Sequence, residues 1–334
     1  MSYPLGWSLT TRIGVRRERW PGDYDLEAMP LVRLGNYVEP EQPVILLKPQ
    51  ETTGSIPQVP KLSLPTNAEQ GLPGAMSRRT QARRQTLAAG LRGTVVALTM
   101  RGSVVIESIA AIVAGAIGAG RQVAGPLTMW QTPGTLSGHP YIPAGAILLV
   151  PGPLNLAMLR QALHSGIAGV VASSVSSRDL ESFLHADLID LLHRANPELT
   201  LPHLPPLTIL LTEGLGTVSM PVRTINLLSK YQGTTALLTG MTSVRAHKYP
   251  ELVISLPLEE VRSGWRTTMP DTRLQMGALV RVCSGRYEGT IGEINYLFEH
   301  QQAFPSGIRA HAARVRLEDG SQLVIPLTVL ERIG

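Results

Sequence analysis

The run at residues 104–125, VVIESIAAIVAGAIGAGRQVAG, limits what this chain can fold into more than any other stretch. It is apolar over most of its length, carries one carboxylate at Glu107, and is punctuated by Gly115, Gly118, Gly120 and Gly125. Three readings compete: a membrane segment, a phosphate-cradling loop, and strands of a small β-domain. A membrane span needs about 20 consecutive apolar residues; the apolar stretch within this run is shorter, and the run carries Glu107 and is rich in glycine. Its spacing G-x-x-G-x-G is not the dinucleotide fingerprint, and no Gly-Lys-Ser/Thr follows. A helix over 106–117 conflicts with the glycines, each of which costs a helix about 1 kcal/mol. Strands with glycine turns remain, and residues 93–108 read as a hairpin about Arg101 and Gly102.

With 334 residues the chain suits two or three domains. Aromatic residues make up only 4%, so the core must be built from Val, Leu, Ile and Ala. The single cysteine, Cys283, rules out an intramolecular disulfide and with it a secreted disulfide scaffold. Residues 1–20 lack the apolar segment of a signal peptide, which makes a cytoplasmic location the default expectation. The net charge of +5 is concentrated at residues 51–130. Arginine outnumbers lysine 26 to 4; its planar fork suits phosphate, but so uniform a skew is also what a GC-rich coding sequence produces.

Residues 51–88 hold Pro57, Pro60, Pro65 and Pro73 and read as a Pro-rich, basic flexible insert. Arg78, Arg79, Arg83 and Arg84 form a basic arm within it, suited to nucleic acid or an acidic partner, or simply solvated. The flanking segments, 1–50 and 89–135, read as one β-rich domain. Strand-like runs between Leu31 and Leu47 are broken at Gly35-Asn36 and Glu39-Pro40. The order apolar strand, Gly35-x-x-Val38, turn, apolar strand resembles half of a barrel-sandwich fold of the biotinyl and lipoyl type. That family carries its cofactor on a hairpin lysine in a Met-Lys or Asp-Lys-Ala context. Lys48 instead stands at a strand end beside Pro49, so no cofactor is expected.

Residues 140–258 change period. Strands at 146–150, 168–173, 207–212 and 235–240 alternate with helical patterns at 154–166, 177–184, 186–194 and 222–231. Such alternation implies a mainly parallel sheet with right-handed crossovers, and the segment resembles the swivelling α/β domains. Ligands of open α/β sheets sit beyond the carboxyl ends of the strands. There Glu213, Gly214, Gly216 and Arg245 form a candidate anionic-ligand pocket, or else ordinary strand-end turns. No catalytic residue can be named. His185 and His193, with Asp187 and Asp190 between them, read as a solvated helix face rather than a metal site. Gly134–Gly138 lacks the G-x-S-x-G elbow, and Cys283 reads as an inert strand thiol. Neither a metal nor a cofactor is expected.

Residues 270–334 carry the most specific pattern. Val280 and Val282 alternate along a strand, Gly285, Gly289 and Gly292 supply turns and close approach, and Ile294 returns to the core. Glu318-Asp319-Gly320 reads as a hairpin turn between Val315/Leu317 and the strand 323–325. These positions resemble a KOW motif in an SH3-like barrel, as found in ribosomal proteins and transcription-elongation factors, with an insertion at 296–311. Arg281, Arg314 and Arg316 alternate with buried positions and should point outward. Arg286 and Tyr287 occupy the loop in which KOW proteins touch RNA or protein. The resemblance implies a phosphate-contacting patch with a stacking aromatic, although Glu288, Glu293, Glu318 and Asp319 nearly neutralise it; protein contact or packing on its own chain is the alternative.

The expected fold is therefore α+β and multidomain: a barrel-sandwich-like N-terminal β-domain, a central α/β domain with a mainly parallel sheet, and a C-terminal SH3-like (KOW) β-barrel. In module order the chain resembles bacterial multi-module proteins so assembled. The expected function is a non-enzymatic cytoplasmic adaptor or scaffold that binds a protein or RNA partner, such as a ribosome or transcription-type assembly, through the tail. The alternative is an enzyme or enzyme subunit that binds an anionic small molecule at the central strand ends.

Overall fold

A computed structural model describes residues 9–20, 22, 26–49, 85–130, 143–262, 273–283 and 285–333. The basic arm Arg78, Arg79, Arg83 and Arg84 and the segment Gly134–Gly138 lie outside the described residues.

The N-terminal part contributes nine strands: β1 (Leu9–Arg19), β2 (Leu26–Pro30), β3 (Tyr37–Val38), β4 (Pro43–Pro49), β5 (Gln85–Ala88), β6 (Gly93–Leu98), β7 (Val104–Ala114), β8 (Ile117–Ala119) and β9 (Gln122–Met129). The glycine-punctuated apolar run thus forms β7, β8 and the start of β9. In β7, burial alternates from Val104 to Ile109 and is continuous from Ala110 to Val113. One half has one face packed, and the other lies between two layers. The expected hairpin joins β6 to β7, with Gly102 at φ +79 in its turn.

The central part holds β10 (Ile147–Val150), α1 (Leu156–His164), β11 (Gly169–Val175), α2 (Ser177–Leu184), α3 (Leu188–His193), a 3-10 turn (Pro197–His203), β12 (Thr208–Leu215), α4 (Val222–Lys230), β13 (Thr235–Thr239), β14 (Glu251–Ser255) and α5 (Leu258–Arg262). Local chemistry sets the helix ends. The Asn155 side chain accepts from the Met158 N–H to start α1, and Gly166 at φ +69 follows its end. Ser176 caps α2, and Asp187 accepts from the Ile189 and Asp190 N–H groups to cap α3. His185 occupies the left-handed position that ends α2.

Eleven strands form one curled mixed sheet, in the order β3-β6-β7-β14-β13-β9-β10-β11-β12-β8 with β1 also on β7. Strands β9 to β12 are parallel. Strand β13 is antiparallel to β9, and β14 to β13, although the strand–helix alternation predicts parallel pairing up to β13. The reason lies in packing. Helices α1 to α3 cover one face of β10–β12, with Leu159, Leu180 and Phe183 on Leu148, Val170 and Ile209. Helix α4 packs in the other layer, Leu228 among Leu149, Val171, Leu210 and Leu238. The free edge of β12 is taken by β8, so after α4 the chain does not extend the parallel set there; β13 joins it at β9 instead, running the opposite way. A third layer joins Val15, Val95, Val104 and Ile106 to Ile45 and Leu47 of the small sheet β2-β4-β5.

The C-terminal part contains β15 (Leu279–Val282), β16 (Ile291–Leu297), β17 (Gln302–Ala303), β18 (Arg309–Ala310), β19 (Ala312–Leu317), β20 (Gln322–Pro326) and β21 (Leu330–Arg332). Five of these form an antiparallel sheet, β20-β19-β16-β15-β21, around Val280, Val282, Ile294, Ala313 and Val315. Strands far outnumber helices in this mixed α/β protein, and no helix among the described residues is long and apolar enough to cross a membrane.

Close backbone approach explains Gly118. A Cβ there would lie 2.6 Å from the Ile209 carbonyl oxygen and 2.7 Å from that of Gly240, and Thr242 Oγ1 holds the same residue by accepting from its N–H and donating to its carbonyl. Gly118→Ala should therefore lower stability by about 1–3 kcal/mol through overpacking. Gly14→Ala, whose Cβ meets nothing within 4 Å, should stay within about 0.5 kcal/mol of wild type. Urea unfolding midpoints of the two variants check this.

Candidate functional site

Register on the C-terminal sheet decides which side chains face out. Arg314 lies opposite Tyr296 on one side and Val324 on the other, and Arg316 opposite Glu293 and Gln322. A register shift between Ile294 and Tyr296 brings Tyr296 to the outer face. Without it, Tyr296 would share the inward face of Ile294, two residues before it. The buried Oδ1 of Asn295, at this bulge, has no hydrogen-bond partner among the described residues. Tyr296 meets Phe298 edge to face at 5.0 Å and 81°. The Arg314 guanidinium lies 5.3 Å from the Tyr296 ring centre and 5.8 Å from that of Phe298. This is a cation held against two aromatic rings on an accessible face, a contact worth about 0.5–1 kcal/mol at exposed sites.

The other tail residues divide. Arg286 and Tyr287 are exposed in the loop before β16, with the guanidinium 5.8 Å from the ring. Arg316 is paired with Glu293 at 2.9 Å. Arg281 points away from its own sheet, as its strand position predicts, but onto the end of β12: its guanidinium is 3.1 Å from a Glu213 carboxylate oxygen. Glu213 retains only 4% side-chain exposure and Arg281 18%. Burial pushes the Glu213 carboxyl above its ordinary range; Arg281 and a Thr212 hydrogen bond oppose this, and Glu331 adds to it. Glu331 stands opposite Arg281 on β21. Beside it, burial and the Glu331 carboxylate raise the thiol of Cys283, which is exposed one residue past β15.

Two groups that the sequence assigns to separate sites, Arg281 of the tail and Glu213 of the central pocket, thus meet in one ion pair. Gly214 (φ +85) and Gly216 (φ +129) turn the chain at the end of β12, and the Gly216 N–H donates to the Val175 carbonyl. Arg245 is exposed on the segment after β13 and takes no part in the pair. Lys48 lies within β4 opposite Glu27.

Sequence reasoning missed a second charged network. Glu18, Arg101, Glu198 and Lys248 alternate in sign around a cleft of about 250 Å³, with Arg101 4.5 Å above the Trp20 ring. Arg101 was legible only as a turn residue because its partners lie far away in the chain. Next to Trp20, the buried Arg19 donates to carbonyls of Ala88 and Gln122, and burial pushes its guanidinium down to about 10.

No protein-family model matches this chain, and no significant match to it is found among curated proteins.

The ion pair between the two sheets should be measurable. A double-mutant cycle of Glu213→Gln and Arg281→Met should give a coupling of about 0.5–3 kcal/mol. Because the folded Glu213 holds its proton more tightly than the unfolded chain does, its stabilising contribution is complete below the ordinary carboxylate value near 4.5 and is lost as pH rises through the raised value. Wild type should therefore lose stability relative to Glu213→Gln across that interval, read as the difference in Tm along a pH series.

Proposed function

We propose that this chain is a non-enzymatic adaptor that binds a macromolecular partner, RNA or an RNA-containing assembly, through its C-terminal sheet. The observation that carries this reading is the Arg314–Tyr296–Phe298 stack. Unpaired bases stack on exposed rings and guanidinium planes, and the same cation contacts phosphate. Arg286 and Tyr287 repeat that pairing of guanidinium and ring in the neighbouring loop. Five antiparallel strands and left-handed glycines at 285, 289 and 320 support reading this part as a KOW-type SH3-like barrel. The central part is read as a swivelling-type α/β unit, the N-terminal part as barrel-sandwich-like, and the location as cytoplasmic.

The ion pairs bound how strong such an interface is. Arg281 and Arg316 are matched to carboxylates, which leaves Arg286 and Arg314 of the four expected phosphate contacts. The alternative, an enzyme or enzyme subunit with an anionic substrate at Glu213, Gly214, Gly216 and Arg245, would need the cation that already faces Glu213.

Fluorescence anisotropy with a labelled single-stranded oligoribonucleotide tests the reading. Two contacts predict a log–log salt slope of about −1.4 between roughly 50 and 200 mM salt. Tyr296→Ala should weaken binding about tenfold through the lost stack, whereas Arg316→Ala should leave it within about twofold. Absence of binding at the lower salt, or wild-type affinity in Tyr296→Ala, overturns the proposal.

A further inference from the structure

A second cleft, of about 400 Å³, opens between β1, the β6–β7 pair and α5. That size falls within the range of small-molecule sites, which combine an apolar lining with a few convergent polar groups. Its apolar part is formed by Ile109, Leu256, Leu258 and Val261, with Gly14 and Gly93. Gly14 stands on β1 between the buried Ile13 and Val15, and a Cβ there would meet nothing within 4 Å. The missing side chain keeps the cleft open. Leu258 is 41% and Tyr37 51% exposed, which leaves apolar surface of both open to solvent.

The polar side is rich in donors. Glu107 is matched by Arg16 at 2.7 Å, and the Ser108 hydroxyl is bonded to Ser255 and the Ile109 carbonyl. Arg92 uses Nε on Glu39, at 2.8 Å; its terminal nitrogens, the Tyr37 hydroxyl and the Thr94 hydroxyl have no hydrogen-bond partner among the described residues. Arg262 of α5 also acts on the Tyr37 hydroxyl. Glu107 is already matched by Arg16, Arg92 keeps donors beyond its pair with Glu39, and Arg262 adds a positive charge near the Tyr37 hydroxyl, so the unengaged groups on this side suit an anion. A dianion would face two carboxylates, and a cation would face unengaged donors.

We propose that this cleft binds a monocarboxylic acid with an apolar body, its carboxylate held by Arg92, Tyr37 and Thr94 and its tail lying over Gly14, Ile109, Leu256 and Leu258. This site is independent of the C-terminal sheet.

Titration calorimetry on the full chain with octanoate, octylamine and octanol tests it. Octanoate should bind with a Kd at or below about 1 mM, and octylamine and octanol at least about tenfold more weakly. Arg92→Met should reduce octanoate affinity about tenfold or more. Gly14→Leu should abolish binding by filling the cleft, and Leu258→Glu, at an exposed position on α5, provides a second block that leaves the core intact. No heat with octanoate, equal affinity for octylamine, or wild-type affinity in a folded Gly14→Leu or Leu258→Glu variant would overturn the assignment.

Discussion

The eleven-stranded sheet depends on hydrogen bonding along both edges of one segment, β7 and its continuation β8. On one side of β7 runs β1; on the other lie β6 and then β14. At Gly115 and Ala116 the N–H groups turn to the carbonyls of Pro250 and Leu211, and β8 goes on to pair with β12. The sheet path that starts from β7 through β14, β13 and β9 to β12 therefore returns to the same stretch of chain. A buried strand must satisfy its backbone groups somewhere, and this one does so by tying the two ends of a curled sheet together. Three apolar layers also meet on it: Ile106 and Ile112 enter one, Ala111 and Val113 a second, and Ala119 the third.

The second constraint is electrostatic. A buried ion pair contributes little net stability once its desolvation is counted, but breaking it is expensive. The Glu213–Arg281 pair therefore acts chiefly on how the C-terminal sheet meets the end of β12. Carboxylate pairing in general sorts the arginines of that sheet. Arg281 is matched to Glu213 and Arg316 to Glu293, whereas Arg286 and Arg314 lie against aromatic rings. The donor-lined cleft beside α5 contrasts with this: there the carboxylates are matched and donors are left over.

Much of the local structure was legible. The helical pattern that ends at Gly166, the β6–β7 hairpin and the alternation of Val280 and Val282 each depend on residues a few positions apart. Other features were not. The outward turn of Tyr296 depends on a bulge that leaves no compositional trace, so the stack with Arg314 lay hidden in a segment read as an insertion. Glu213 and Arg281 were both singled out, but as members of different sites, because nothing in either local pattern says that the two face each other. Gly14, Tyr37, Arg92 and Leu258 drew no attention, since each is unremarkable among its neighbours in the chain.

By itself, the sequence determined the alternating strands and helices between residues 146 and 240, the β6–β7 hairpin and the inward face of Val280 and Val282, because those properties follow from periodicity within one or two turns of chain. It also excluded a membrane reading of the 104–125 run, through Glu107 and the glycines. Only the tertiary structure decided that β13 runs antiparallel to β9, that the run closes a sheet, and that Arg281 is matched to a carboxylate while Arg314 is not. Pairing direction and charge matching depend on which distant segments become neighbours, and that is set by how the layers pack together.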